Sequence, residues 1–252
     1  MTKKKKAVLI SSVSVAGVLF ACLIGLLVTG LTIGWGPFQF MYWPKEVERV
    51  KRDYPYENNQ DGIVFYGASN FRLWKEMTND LKEYKVSNNG FGGSTDELMM
   101  KYADELLFPY HPKVVFFQTA SNDFANMSGS DEYKLEKALN NKKELIATVH
   151  QKLPDAKLVL MSGLLIPGRR QYTELTIKLN SEMDNYISTL DYMDFVNAND
   201  LTYDGVNYRN ELFISDGIHF NHDAQLLWCN NYIRPEIESL ISRYPELESV
   251  RK

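Results

Sequence analysis

Asp216 and His219 stand three residues apart in Ser215-Asp216-Gly217-Ile218-His219-Phe220-Asn221. At that spacing a carboxylate can bond one imidazole nitrogen across a turn and leave the other free as a base. A base of this kind needs a nucleophile. Ser69, in Tyr66-Gly67-Ala68-Ser69-Asn70, supplies a hydroxyl at the end of an apolar run and just before a helical segment, where negative charge is favoured. Two further stretches end apolar runs in the same way. Asn88-Asn89-Gly90-Phe91-Gly92-Gly93-Ser94-Thr95 is rich in glycine, so its backbone N–H groups can approach a ligand closely. Thr119-Ala120-Ser121-Asn122-Asp123 offers the side-chain amide of Asn122. Singly, each has a plainer explanation: a helix cap, a glycine turn, an Asx-turn, a surface turn. Together, a serine, a carboxylate-held base and N–H donors form the kit for acyl transfer.

The chain has only four histidines. His111 lies in a turn beside Pro112, and His150 falls within a helical segment. His222 has no Asp three residues before it. His219 is therefore the expected base.

These stretches need a scaffold that brings them to one edge. Short runs rich in Val, Ile and Phe recur at Ile63–Tyr66, Lys85–Ser87, Val114–Gln118, Leu158–Met161 and Met193–Val196, each followed by a longer helical segment. The clearest helix puts Leu135, Leu139, Ile146, Val149 and Leu153 on one face. The last helical stretch is expected to break or kink at Pro235. The alternation predicts an α/β fold with a doubly wound, mostly parallel five-stranded sheet flanked by helices. Ligands then bind at the carboxyl ends of the strands.

With the four blocks in this order, the chain resembles the SGNH/GDSL hydrolases, and most nearly the flavodoxin-like acylhydrolases related to platelet-activating-factor acetylhydrolase. The likeness rests on Gly-Ala-Ser-Asn at Ser69, Gly-Phe-Gly-Gly-Ser-Thr at Gly93, Ser-Asn-Asp at Asn122, Asp-Gly-Ile-His-Phe-Asn at Asp216 and His219, and a following Trp228. It covers about Gly62 to Ile241. It implies Ser69 as nucleophile, His219 as base and Asp216 as its orienting partner. The backbone N–H groups of Ser69 and Gly93 and the Asn122 amide would hold the oxyanion. The implied substrate is a carboxylic ester with a short acyl group, a small ester or an O-acylated glycan or lipid. An O-acyltransferase using the same site, or an inactive binding module, are the alternatives. The chain departs from the pattern at Ala68, where the family has Asp, and at Ser121, where it has Gly.

Composition narrows the partners. The 252 residues carry a net charge of −4, with 44% hydrophobic and 24% charged residues. That suits a folded domain and argues against nucleic acid. No cofactor or metal is expected: the glycine stretch fails both the dinucleotide and P-loop patterns, and no Cys/His cluster has zinc spacing. At the N-terminus, Lys3–Lys6 precede an uncharged stretch from Ala7 to Pro44, followed by charged residues from Lys45. As a helix, Ala7–Ile33 would span roughly 40 Å. Trp35, Phe38, Phe40, Tyr42 and Trp43 would mark the far interface. The expected organisation is a cytoplasmic N-terminus and transmembrane anchor over residues 1–44, a linker over 45–61, and an extracytoplasmic catalytic domain over 62–252. A cleaved signal, or lipidation at Cys22, are the alternatives for the first segment.

Overall fold

The computed structural model describes residues 15–29 and 42–252, which divide into two compact units, Met1–Glu48 and Arg49–Lys252. The second unit holds five parallel strands: β1 (Ile63–Gly67), β2 (Val86–Asn88), β3 (Val114–Gln118), β4 (Lys157–Met161) and β5 (Met193–Val196). Their order across the sheet is β2-β1-β3-β4-β5, and every neighbouring pair is parallel. This is the doubly wound order whose direction of winding reverses between β1 and β3.

Near-continuous apolar strands are what a sheet covered on both faces requires. Every residue of β1 and β3 is buried. Alternate side chains serve opposite layers. Ile63, Phe65, Val114, Phe116, Val159 and Met161 join a core with Trp74, Trp228, Ile237 and Leu240. On the other face, Tyr66 Oη donates to the Met99 carbonyl at 2.7 Å. Met99 lies in the helix Asp96–Leu106, which packs against Asp131–Lys152 and so reaches Thr173–Ile187.

The structure bears on three expectations. First, the helix Asp131–Lys152 turns Ala138, Asn141, Lys142, Leu145, Ile146 and Val149 inward, while Leu135 and Leu139 are only half-buried. Its inner stripe includes a lysine. Second, the expected break or kink falls just before Pro235, where the α-helical pattern is interrupted. A single π turn, Cys229–Ile233, joins the helix His222–Trp228 to Arg234–Arg243. The wider turn just upstream accommodates the residue that lacks an N–H. Third, residues 49–61 are part of the compact unit rather than a loose linker. Val50 is fully buried, and the Tyr110 hydroxyl donates to the Tyr54 carbonyl at 2.7 Å. The Asp61 N–H donates to the Tyr110 carbonyl at 3.2 Å. Apolar Val50 and aromatic Tyr54 gain more from burial than a polar tether would.

In the first unit, residues 15–29 form a helix on which Val18, Leu19 and Phe20 are exposed. Among the described residues no helix is long and apolar enough to cross a membrane. The expected spanning helix is therefore not seen there. The Lys3–Lys6 cluster, the ends of the apolar run, and Trp35, Phe38 and Phe40 lie outside the described residues.

Candidate active site

The carboxyl ends of β1, β2 and β3 deliver the three N-terminal blocks. Ser69 opens the short helix Ser69–Arg72 directly after β1. Gly93 follows β2 at φ +70, a left-handed conformation that a side chain disfavours. Asn122 lies in the helix Ser121–Asn126, three residues after β3 ends.

The fourth block arrives from far along the chain and is folded by its own turn. Asp216 Oδ1 accepts the N–H groups of Ile218 at 2.8 Å and His219 at 3.0 Å. Gly217 takes φ +64 within it. These bonds swing the other oxygen, Oδ2, to 2.6 Å from His219 Nδ1. His219 Nε2 then stands 2.7 Å from Ser69 Oγ. An ionised carboxylate only accepts, so Nδ1 carries the proton and Nε2 is left to accept from the serine hydroxyl. Burial opposes ionisation of Asp216, but the His219 and Ile218 N–H bonds and the imidazole outweigh it and hold its pKa below the ordinary carboxylate value.

Packing fixes the two halves of this dyad to each other. Phe71, two residues after Ser69, stacks on Trp228 with ring centres 5.3 Å apart. Phe220, next to His219, meets the same indole edge-on at 5.6 Å. The Phe220 N–H also donates to Asn70 Oδ1 at 3.1 Å. Asn70 and Trp228 thus tie the Ser69 helix to the Asp216–His219 turn.

The Asn122 side is held from beneath. Asn122 Nδ2 donates to the Ser94 carbonyl at 3.0 Å, joining the β2 and β3 loops. Its second amide hydrogen remains for a ligand. Lys142 Nζ, buried in the helix Asp131–Lys152, bonds Asp96 Oδ1 at 3.0 Å and Thr119 Oγ1 at 2.6 Å. Asp123 Oδ1 accepts the Asp96 N–H at 2.9 Å. Burial and the Asp96 charge push the Asp123 carboxyl up to about 8. Sequence reading missed Lys142 because a lysine in a helix reads as a solvated residue. Its signal was present: Lys142 lies on the stripe Ala138, Leu145, Val149 at spacings of four, three and four.

The other histidines are elsewhere. His222 Nε2 pairs with Asp80 at 3.1 Å, and His150 stacks on Tyr192 at 3.5 Å. The two departures from the family pattern are both placed beside the site. Ala68 is buried and donates its N–H to the Gln118 carbonyl at 3.0 Å, and Ser121 Oγ accepts from Arg169 at 3.1 Å.

Solved structures share this arrangement of chain. A Bacteroides fragilis protein described as an acylhydrolase superposes with a TM-score of 0.62 at 19% identity, over 76% of this chain and 95% of that one. The fold is that of the SGNH/GDSL hydrolases. A GDSL-like lipase from Bacteroides thetaiotaomicron aligns at TM-score 0.57 and 18% identity, over 77% of this chain and 97% of its own. A Streptococcus pneumoniae protein described as a platelet activating factor aligns at 0.60 and 21%, over 75% and 92%. No family model and no curated protein matches the sequence. If the Asn122 amide acts as an oxyanion donor, Asn122→Ala should lower kcat on the order of 10²–10³-fold while KM changes little, because such a donor faces charge that develops in the transition state. Steady-state kinetics checks this, and a change confined to KM would make Asn122 a substrate-binding residue.

Proposed function

We propose that this chain is a serine esterase with Ser69 as nucleophile. The observation that carries the reading is the hydrogen-bonded chain Ser69–His219–Asp216, at 2.7 and 2.6 Å. Ser69 Oγ attacks the ester carbonyl as its proton passes to His219 Nε2. Asp216 keeps the imidazole in the required tautomer and stabilises the imidazolium. The oxyanion is held by the N–H groups of Ser69 and Gly93 and by the free amide hydrogen of Asn122. His219 returns the proton to the leaving alcohol. Water, activated by the same base, then cleaves the acyl-enzyme. No step needs a cofactor. The neighbours described as an acylhydrolase and a GDSL-like lipase point the same way.

A short acyl group fits best. The cavity bounded by Ala68, Ser69, Asn122 and Ile218 has a volume of about 20 Å³, room for little more than one water-sized group. A panel of 4-nitrophenyl esters tests both claims. Acetyl should turn over faster than octanoyl by at least about tenfold, and a fluorophosphonate should label Ser69. Faster octanoyl turnover would overturn the short-chain reading. An unlabelled Ser69 would overturn the esterase.

We also propose that the enzyme is membrane-tethered and faces away from the cytoplasm. The support is the lysine cluster before the apolar run and the exposed apolar side chains of residues 15–29. Protease added to intact cells should release an active fragment, with cleavage before the packed segment 49–61 rather than within it. Protection until the cells are permeabilised would reverse the orientation.

A further inference from the structure

Arg169 lies in the irregular segment Pro167–Tyr172, where its backbone leaves helical geometry at φ −136, ψ 38. The segment is pressed against the turn that carries Asp216. The Gly168 N–H donates to the Gly217 carbonyl at 2.8 Å. A Cβ at Gly168 would come within 2.7 Å of the Asp216 carbonyl oxygen, so only glycine allows this approach. The next side chain is thereby aimed at the oxyanion loop. Arg169 Nη1 donates to Ser121 Oγ at 3.1 Å and to Asn122 Oδ1 at 2.8 Å. Both residues line the small cavity beside Ser69. Ser121 is one of the departures from the family pattern, and its hydroxyl is what completes the seat for the guanidinium.

Those two bonds use both hydrogens of Nη1. Nε–H and the two Nη2–H donors make no hydrogen bond among the described residues, and no carboxylate there lies within ion-pair distance of Arg169. The residue is half-buried, so its charge is partly desolvated without a contact counter-ion. A guanidinium held by one terminal nitrogen presents the Nε/Nη2 edge as a fork matched to two oxygens of one planar anion. Lysine could not offer this geometry.

The geometry points to Arg169 as a specificity residue that takes a carboxylate on the substrate, so that the enzyme acts preferentially on acidic esters. This rests on the esterase reading and names the class of substrate within it. The carboxylate belongs close to the scissile bond, because the anchor of the guanidinium is the oxyanion amide itself. The same contact gives Arg169 a second effect. An Arg only donates, so its bond to Oδ1 fixes the flip of the Asn122 amide and keeps Nδ2 turned away, toward Ser94 and the oxyanion.

Binding to a variant that cannot turn over separates this inference from the esterase. Ser69→Ala is titrated calorimetrically with two matched pairs. Monomethyl succinate against methyl butyrate places the carboxylate on the acyl side. 3-Acetoxybenzoate against phenyl acetate places it on the leaving-group side. In at least one pair the acid should bind about tenfold tighter or more, as expected of a charge-assisted bidentate contact. Adding Arg169→Gln should abolish that ratio. Comparing ratios cancels any effect that Arg169 has on Asn122 for both members of a pair. Equal binding within both pairs, or a preference that survives Arg169→Gln, would overturn the proposal. Failure of the wild-type protein to hydrolyse any ester would instead sink the esterase reading, and the titration would still decide the role of Arg169.

Discussion

Ser69→Ala should reduce ester turnover by at least about 10⁴-fold and leave the fold intact. The substitution removes one hydroxyl whose partner is His219 Nε2 at 2.7 Å, and no buried apolar contact is lost. What survives is the oxyanion site and substrate binding, which alone give modest catalysis over water. His219→Ala should be about as damaging, since a serine hydroxyl without a base is a poor nucleophile. The double variant should be little worse than either, because the two act as one unit. His222→Ala is the control: its ring pairs with Asp80 and not with Ser69. Initial rates with 4-nitrophenyl acetate, with circular dichroism of each variant, decide the matter. Wild-type turnover by folded Ser69→Ala would falsify the assignment of the nucleophile.

The largest stability effect should come from Lys142. Its side chain is 3% exposed and that of Asp96 is 0% exposed, with Nζ 2.9 Å from Asp96 Oδ2. Removing one partner of a buried pair leaves the other charge uncompensated. Lys142→Met should therefore cost about 3–5 kcal/mol, while Asp96→Asn with Lys142→Met should recover much of it. Activity should fall as well, since the pair joins the start of the helix after Gly93 to Thr119, at the end of β3. Asp123→Asn should act in the opposite direction. The folded state keeps a proton on Asp123 up to about pH 8, whereas the unfolded chain releases it near pH 4. Stability from this group is thus complete below about pH 4 and is lost as pH rises toward 8. Asparagine keeps the acceptor for the Asp96 N–H and removes the ionisation. Its gain in Tm over the parent should grow between pH 4 and 8. Urea titration of Lys142→Met and melting curves of Asp123→Asn measure both; a loss under 1 kcal/mol in the first would show that Asp96 finds another partner.

The sheet was legible because buried parallel strands have only one way to look. Val114–Phe117 is apolar without alternation and fully buried, and the structure keeps the bounds Val114–Gln118. The Asp216 and His219 pairing was legible because a three-residue turn is local. The supports beneath the site were not. Lys142 and Asp96 are 46 residues apart, and neither residue type announces burial. Arg169 comes from a segment with no periodicity, and its seat depends on Gly168 meeting a turn almost fifty residues later. The segment 49–61 reads as polar linker by composition, yet Val50 is buried in it and the Tyr54 carbonyl accepts from Tyr110. Local pattern reports which face a residue should take. It does not report which distant side chain will be waiting there.

The nucleophile and its base are separated by 150 residues. Ser69 and the β1–β3 switch point are complete early in synthesis, whereas the imidazole emerges only near the end. The reactive dyad is therefore among the most non-local contacts in the molecule, and forms only after most of the loop entropy has been overcome. A nascent or truncated chain that stops before residue 219 carries a serine no more reactive than one in a peptide. Local unfolding of the Phe220–Trp228 packing would disarm the dyad in the same way, with the sheet still standing. On the proposed esterase reading, hydrolytic power is thus coupled to completion of the fold, so an incomplete or partly opened chain would not attack esters around it.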